Sequence, residues 1–494
     1  MSTFSALPPE LYSAIFEHVP LSHIRLTILS LTRALPWALI PQERLFRDVS
    51  LGHSDQVVQF YRRLRNGVDS AGRFVRSFAV KDWNIDAELI ISIVPMLLNV
   101  EHFSLYIGPR NFTPEHLEEL FKDCITSLQH VSLRFRPYVK TATYLQFLKG
   151  AYFDSTLEAL SRWSNTRLHS ISIIQDPLDT DTGGVQAFAQ PIVFFRFEPA
   201  FATLSSCSLA SNSRALRVRI PHRSVVRALS SRNAFPRLEF LDLSTCSVLE
   251  GELEMILVRL WKVKHIVLDG CRVLRSEGDW NAFGKRLALI GVTRAKEREK
   301  QLKEYLERES MAALQLPEET TNIPIKKAKR GRRGLASATI SLREPSTTSP
   351  ARPNGIRRPQ IPKIRILPQC PTTLSLAMST FIPSRQAEVL KEFEQGWFEG
   401  LVQMTANRSR LRQSFRNGVV RVVQFSREGV SPFEEGMVGL EDVESEDVFD
   451  KLEDETSRVP LLCLASSSGA GGEHAAECPH HAAQEFWGDC DLPS

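Results

Sequence analysis

The chain has 494 residues, a formal net charge of +4, 43% hydrophobic residues and 24% charged residues. This length exceeds what one hydrophobic core organises, so two or more folded units with linkers are expected. The small net charge does not by itself imply a nucleic-acid partner. No stretch approaches the roughly 18 apolar residues of a membrane span, and no basic region precedes an apolar run at the start, so neither membrane insertion nor secretion is expected. The 8 cysteines are spread through the chain, which fits reduced thiols in the cytosol or nucleus.

The N-terminal 50 or so residues predict three short helices. Pro8 and Pro9 stand where a first helical turn tolerates proline, and apolar residues then recur at helical spacing as far as Val19. Pro20 ends this helix, and two further apolar series follow, of which the last runs to Val49. A unit this small has little interior of its own, so apolar residues on its outer faces need another surface to cover them.

Within this segment, residues 7–11 read Leu-Pro-Pro-Glu-Leu, Ile15 follows, and residues 45–49 read Leu-Phe-Arg-Asp-Val. Residues 5–50 thereby resemble an F-box, particularly its fungal versions. In that family the segment binds a Skp-type adaptor, which links it to a cullin and to a RING subunit that recruits the ubiquitin-conjugating enzyme. The resemblance implies four adaptor-binding residues: Leu7, Pro8, Leu11 and Ile15. Residues 32–35 and the displaced Trp37 depart from the family's usual Cys-Lys/Arg-x-Trp pattern. The alternative is that these helices only cap the unit that follows.

The middle of the chain contains a repeated apolar template, Leu-x-x-Leu-x-Leu with substitutions, between residues 75 and 268. Each copy predicts a short alternating strand, and helix-like stretches lie between the copies. The copies begin at Val75, Val100, Leu128, Leu168, Leu204, Leu238 and Val263. A strand and a helix cannot bury their apolar sides alone, so stacked units are expected to share one core and to curve into a horseshoe with parallel strands on its concave face. The copies at 238–243 and 263–271 resemble leucine-rich repeats, so the predicted class is α/β.

Residues between the template positions are expected to face outward on the concave sheet, because side chains alternate along a strand. Several of these positions are serines, including Ser206 and Ser208. The candidate target-binding residues are Lys81, His102, Tyr106, His130, Arg134, Asp242, His265 and Asp269. A surface of histidine, tyrosine and charge suits recognition of a protein target. The alternative is an ordinary solvated face.

Beyond Leu274 the template is lost, and residues 294–309 predict a charged, solvated helix. Residues 321–369 hold twelve Lys or Arg against one acid, which predicts a disordered linker. This linker contains a run that resembles a nuclear-localisation signal and implies an importin as partner; the alternative is a solvated basic linker. The cations of this run are Lys326, Lys327, Lys329, Arg330, Arg332 and Arg333.

The C-terminal region predicts one folded element and a tail. A helix over 386–404 and a strand over 419–425 predict a small folded element within 371–430. Residues 434–455 carry eleven acids against one lysine, and pairing with the basic linker is a hypothesis from charge alone. The remainder reads as a low-complexity, disordered tail.

The sequence contains no Walker-type glycine loop, no G-x-S-x-G turn and no H-E-x-x-H motif, so we expect no catalytic residues and no cofactor. The best metal candidates are His474, Cys478, His480, His481 and Cys490, but their spacing matches no familiar zinc finger and no metal site is predicted. The predicted units are a helical F-box-like segment (1–50), an irregular repeat solenoid (51–275), a charged helix and basic linker (276–370), a small folded element (371–430) and an acidic tail (431–494).

These expectations combine into a function. The chain is expected to be a non-catalytic substrate receptor of a cullin-RING ubiquitin ligase, located in the nucleus, the cytoplasm or both. Its target is a protein of unknown identity. The alternative is a leucine-rich-repeat interaction scaffold with no ligase link, which the basic run would place in the nucleus.

Overall fold

The structure is a computed structural model, and it describes the following residues: 7–41, 43–66, 71–136, 153–164, 167–176, 193–231, 234–271, 279–315, 363–380, 385–426, 436–454, 458–466 and 477–487. Within these ranges the chain is α/β, with one ten-stranded parallel sheet and one three-stranded sheet. No helix in the described ranges is long and apolar enough to cross a membrane. The candidate nuclear-localisation residues lie outside the described ranges.

Helices and strands alternate through most of the chain. The helices are α1 (Pro9–Glu17), α2 (Leu21–Ala34), α3 (Glu43–Arg47), α4 (Ser54–Asn66), α5 (Ala87–Ile93), α6 (Pro114–Leu120), α7 (Asp154–Ser161), α8 (Phe197–Ser206), α9 (Ser208–Asn212), α10 (Val226–Leu229), α11 (Glu250–Arg259), α12 (Trp280–Ala288), α13 (Ile290–Gln315), α14 (Gln386–Arg416), α15 (Asp447–Asp454) and α16 (Pro479–Trp487). The strands are β1 (Asp48–Leu51), β2 (Ser77–Val80), β3 (His102–Ile107), β4 (His130–Phe135), β5 (Ser170–Gln175), β6 (Ala215–Arg219), β7 (Phe240–Asp242), β8 (His265–Leu268), β9 (Ile364–Ile366), β10 (Ser375–Thr380), β11 (Arg421–Phe425), β12 (Leu440–Asp442) and β13 (Leu461–Ser466).

The N-terminal segment has its own small core, as its helical spacing predicts. Its buried members are Tyr12, Phe16, Ile24, Ile28 and Ile40. The prediction that the third helix extends to Val49 is wrong, because α3 ends at Arg47 and the chain continues directly into β1. Val49 and Leu51 alternate with exposed neighbours and are buried against β2, which favours a strand over a helix.

The large sheet is built in chain order from β1 to β8, and each strand pairs in parallel with the next. All but one of the predicted strands are confirmed at β2, β3, β4, β5, β7 and β8. Their template positions point into one continuous core beneath the helices, which includes Phe78, Leu105, Leu133 and Ile173. The helices predicted between the strands are also present, as α5, α6, α7, α10 and α11.

The strand predicted at 204–209 is wrong, because these residues belong to α8 and α9. Phe197, Phe201 and Leu204 recur three or four residues apart and are buried together, so the helical period prevails over the strand template. The strand of this unit is β6, which pairs with β5 and β7. Ser206 and Ser208 therefore do not lie on the sheet.

The sheet does not end at residue 275. Strand β10 pairs in parallel with β8, and β13 pairs in parallel with β10. Helix α12 and helix α14 pack closely: a Cβ on Gly396 would lie 1.8 Å from the Asn281 carbonyl oxygen. The predicted folded element thus joins the repeat unit, and the predicted tail contributes α15, β13 and α16.

The second sheet, in the order β12-β11-β9, packs against α13. This helix was predicted to be solvated, but Arg298 and Leu302 on it are buried. The Arg298 guanidinium donates hydrogen bonds to the carbonyl oxygens of Gly436, at 2.7 Å, and Val438, at 3.0 Å. One side of a charged helix can be buried in this way because backbone acceptors compensate for the lost hydration of the Arg298 guanidinium.

Candidate functional site

The candidate site lies on the face of the large sheet opposite the main core, which we call the polar face. Strand register aligns its side chains in rows, because parallel neighbours pair residue by residue. One row contains His102, His130, Ser170, Ala215, Phe240, His265 and Ser375. The sheet therefore brings together side chains that lie far apart in the sequence.

Two histidines stack at the start of β3 and β4. The ring centroids of His102 and His130 are 4.3 Å apart with an interplanar angle of 7°. The Nδ1 of His130 lies 2.7 Å from the Ser170 hydroxyl oxygen. Burial, followed by the nearby His102, lowers the pKa of His130 to about 4. At neutral pH the pair is therefore uncharged, and His130 is also hydrogen-bonded to the backbone of Phe486 on α16.

Tyr106 and Arg134 extend this histidine pair along the same two strands. The Arg134 guanidinium lies 5.3 Å from the Tyr106 ring centroid and donates to the Tyr106 hydroxyl at 3.2 Å. It also forms an ion pair with Asp176. Lys81 is exposed just beyond β2. Four of the predicted target-binding residues thus lie on the neighbouring strands β3 and β4, and the fifth, Lys81, directly follows β2.

Asp242, by contrast, is held inside the protein. Its side chain is 1% exposed, and its Oδ2 accepts from Arg217 Nε at 3.2 Å and Arg219 at 2.6 Å. The Ser244 hydroxyl donates to its other oxygen at 2.7 Å. Burial opposes ionisation of Asp242, but the two guanidinium groups outweigh burial and lower its pKa. The prediction that Asp242 faces a target is wrong, because its carboxylate is buried and already accepts hydrogen bonds from Arg217 and Arg219.

Helix α16 covers the part of the polar face formed by β6, β7, β8, β10 and β13. The Trp487 ring stacks over the Arg217 guanidinium, 4.3 Å from ring centroid to Cζ, and meets the Phe240 ring edge-on at 6.1 Å. Phe240, Val267, Ala377 and Cys463 form a small apolar cluster with this helix. The C-terminal segment therefore occupies the sheet where a target was expected.

The start of α16 places a thiol and an imidazole beside the sheet. Cys478 Sγ lies 3.1 Å from His480 Nδ1, and His480 Nε2 lies 2.6 Å from Asp269 Oδ2. Contacts with Cys463 and then His480 lower the pKa of Cys478, and the Asp269 carboxylate raises the pKa of His480. His265 is also engaged, because its Nδ1 lies 2.7 Å from the Ser375 hydroxyl. His265 and Asp269 are thus committed to contacts within the chain.

Sequence reasoning missed Arg217, Ser375, Cys463 and Trp487 as residues of this face. One signal was available for Arg217: Ala215, Phe240 and His265 are equally spaced along the chain and pair in register. That spacing places a strand at 215–219 and Arg217 on the polar face. The remaining residues lie on strands and a helix that join the sheet from distant parts of the sequence, and no local pattern reports this.

The predicted adaptor-binding residues lie on the first helix and just before it. Leu11 is 48% exposed and Ile15 is 39% exposed, one helical turn apart. Pro8 is exposed before the helix, whereas Leu7 packs partly against the small core. Further large apolar side chains are exposed in the same segment: Leu26, Leu29, Trp37 and Leu39.

Comparison with known proteins gave no match: no protein-family model fits the chain, and no curated protein is significantly similar to it.

Proposed function

We propose that this chain is a non-catalytic substrate receptor of a cullin-RING ubiquitin ligase. In this proposal the N-terminal helices bind a Skp-type adaptor, and the part of the polar face on β2 to β4, where His102, Tyr106, His130 and Arg134 are only half-buried, binds a protein target. The observation that carries the proposal is the set of large apolar side chains exposed on α1, α2 and the turn after them. The resemblance of residues 5–50 to an F-box agrees with this placement.

The exposed apolar residues are not needed for the segment's own core. Tyr12 and Phe16 point inward from α1, while Leu11 and Ile15 on the same helix are exposed. Trp37 is 91% exposed, which is unusual for an indole because a ring of this size contributes most when it is covered. Several exposed apolar side chains within one small helical unit are typical of a protein-binding surface.

The part of the polar face on β2 to β4 has the chemistry of a recognition surface. Tyr106 and Arg134 are of the residue types enriched at protein interfaces. The stacked and uncharged pair of His102 and His130 lies beside them and adds flat ring surface, with His130 already hydrogen-bonded to Ser170. A target held there would be brought close to the recruited conjugating enzyme, and ubiquitin transfer would follow from proximity, with the chemistry supplied by the recruited subunits.

The adaptor-binding step can be tested with the full-length chain and a purified Skp-type adaptor. The Leu11→Asp, Ile15→Asp double variant should weaken binding at least about 100-fold, because two buried contacts of about 1.5 kcal/mol or more each would be lost. The matched control is Phe398→Asp, Val402→Asp, which also changes two exposed apolar residues one turn apart on a helix, α14. The control should bind as the wild type does. Absence of binding by the wild-type chain would refute the receptor proposal.

One observation favours the alternative of a scaffold without a ligase link. Helix α3 continues directly into β1, and Phe46 packs against the main core, so the N-terminal helices also cap the sheet. If capping is their only role, the Leu11 and Ile15 substitutions will leave every interaction of the chain unchanged. Equal capture of partners by the wild type and the double variant would favour this scaffold role.

A further inference from the structure

A cluster of two thiols and one imidazole joins the C-terminal helix to the sheet. The ligand atoms of Cys463, Cys478 and His480 all lie within 4.8 Å of one another. Cys463 belongs to β13, the last strand of the large sheet, and the other two residues lie at the start of α16. Two separate elements thus present nitrogen and sulfur donors toward one point.

We propose that Cys463, Cys478 and His480 bind a zinc ion. Zinc takes cysteine sulfur and histidine nitrogen as ligands in tetrahedral sites, and soft thiolates beside an imidazole disfavour magnesium and calcium. The described residues supply three ligands, and a fourth position is available to water or to another donor. The proposal concerns the C-terminal segment alone and does not depend on the proposed ligase role.

The orientation of His480 supports a metal site. Its Nδ1 faces Cys478, at 3.1 Å, and its Nε2 points away to the Asp269 carboxylate, at 2.6 Å. A histidine that ligates a metal usually donates its other ring N–H to a carboxylate or carbonyl, which fixes the ring and its tautomer. Asp269 is therefore a positioning residue, which orients the ligand and does not bind the ion itself.

Other cysteines in the chain show how a purely structural thiol differs. Cys246 is buried and donates to the Val218 carbonyl at 3.1 Å, and Cys271 donates to the Leu243 carbonyl at 3.0 Å. Burial raises the pKa of Cys246 to about 12, so this thiol stays protonated. Cys478 instead meets a second thiol and an imidazole, the side chains that zinc requires.

A bound zinc ion would fix α16 in place. Cys463 ties the site to β13, and Asp269, just after β8, ties it to the sheet from the other side. The helix would then be held at its first turn by the metal and at its last residue by Trp487. Zinc binding and coverage of the polar face would be coupled, because a ligand that binds only the docked form stabilises that form.

The test uses the full-length chain, purified under reducing conditions and loaded with zinc. Elemental analysis should give about one zinc per chain, and cobalt substitution should give a thiolate-to-cobalt charge-transfer band. Cys463→Ser and Cys478→Ser should each weaken zinc binding at least about 10-fold, whereas Cys124→Ser, at a thiol outside the cluster, should bind as the wild type does. Asp269→Asn should weaken binding about 10- to 100-fold, because loss of the carboxylate leaves the imidazole less well oriented.

Two outcomes would overturn the zinc site. The first is a reduced wild-type chain that binds no zinc and gives no cobalt band. Rapid alkylation of the thiols would then indicate a thiolate–imidazolium pair, and a disulfide found before reduction would indicate a redox pair. The second is retention of full zinc affinity by both serine variants. Circular dichroism checks the folding of each variant, and the cobalt titration of the wild-type chain decides the question even if a variant fails to fold.

Discussion

Trp487 is the anchor at the far end of α16, and its removal should release this helix from the sheet. The side chain is 5% exposed, stacks over Arg217 and meets Phe240. An indole buries roughly 150–250 Å², which corresponds to about 4–6 kcal/mol at about 25 cal/mol per Å². Truncation of a buried tryptophan to alanine typically costs about 3–5 kcal/mol. The lower end is appropriate here, because the neighbouring side chains can return to water when the helix leaves.

A loss of about 3 kcal/mol raises the undocked population roughly 100-fold, since each 1.4 kcal/mol is a factor of about ten. Hydrogen exchange measured on the Trp487→Ala variant should show this factor in the amides of α16. Protection in β3 and β4 should stay unchanged, because the main core buries the opposite face of these strands.

The control for this experiment is Trp37→Ala, at an indole that is 91% exposed and contacts no core. This variant should leave exchange in α16 unchanged. Wild-type protection of α16 in the Trp487 variant would refute the anchoring argument. Equal acceleration in α16, β3 and β4 would refute it in another way, because the substitution would then act on global unfolding.

Two further predictions concern stability. Burial holds the pKa of His130 at about 4, below the value of about 6.5 for an unfolded histidine. The unfolded chain therefore binds a proton more readily than the folded chain does. The free energy of unfolding should fall as the pH drops from about 6.5 toward 4. After allowance for partial exposure, the loss of stability by pH 5 is about 1 kcal/mol. Denaturant titration should show a smaller loss in His130→Gln and the wild-type loss in His53→Gln. A pH dependence that His130→Gln does not alter would contradict this prediction. Gly396→Ala should lower the midpoint of thermal unfolding, because its Cβ would lie 1.8 Å from the Asn281 carbonyl oxygen. Gly251→Ala is the control and should not lower it, because no atom lies within 4 Å of that Cβ. Equal midpoints for the two variants would contradict the close approach of the helices.

The parallel sheet could be predicted because its signal is local. Each strand carries apolar residues at alternate positions, and each is followed by a helix with its own apolar period. The error at 204–209 shows the limit of this signal. The template of apolar residues at 204, 207 and 209 also fits a helix, and the choice depended on Phe197 and Phe201, which lie outside the template.

The extension of the sheet by β10 and β13 could not be predicted from the same signal. These strands are separated from β8 by more than 100 residues, and their register is fixed by the neighbouring strand and not by a repeat. The hypothesis that residues 434–455 pair with the basic linker stays a prediction, because most of that linker lies outside the described residues. Among the described residues, Asp442 pairs with Arg421 on β11, at 2.6 Å, and Asp450 pairs with Arg412 on α14, at 2.7 Å.

The two halves of the polar face meet at Trp487. A groove beside this indole is lined by Ser77, His102, Ser104, His130 and Ser132. A target side chain in the groove would therefore contact both the sheet and α16. Any ligand that touches both must bind the docked and undocked forms with different affinity, so target binding and helix docking are linked and each must shift the other equally. The direction of that shift depends on whether the indole adds contact area to the target or takes its place.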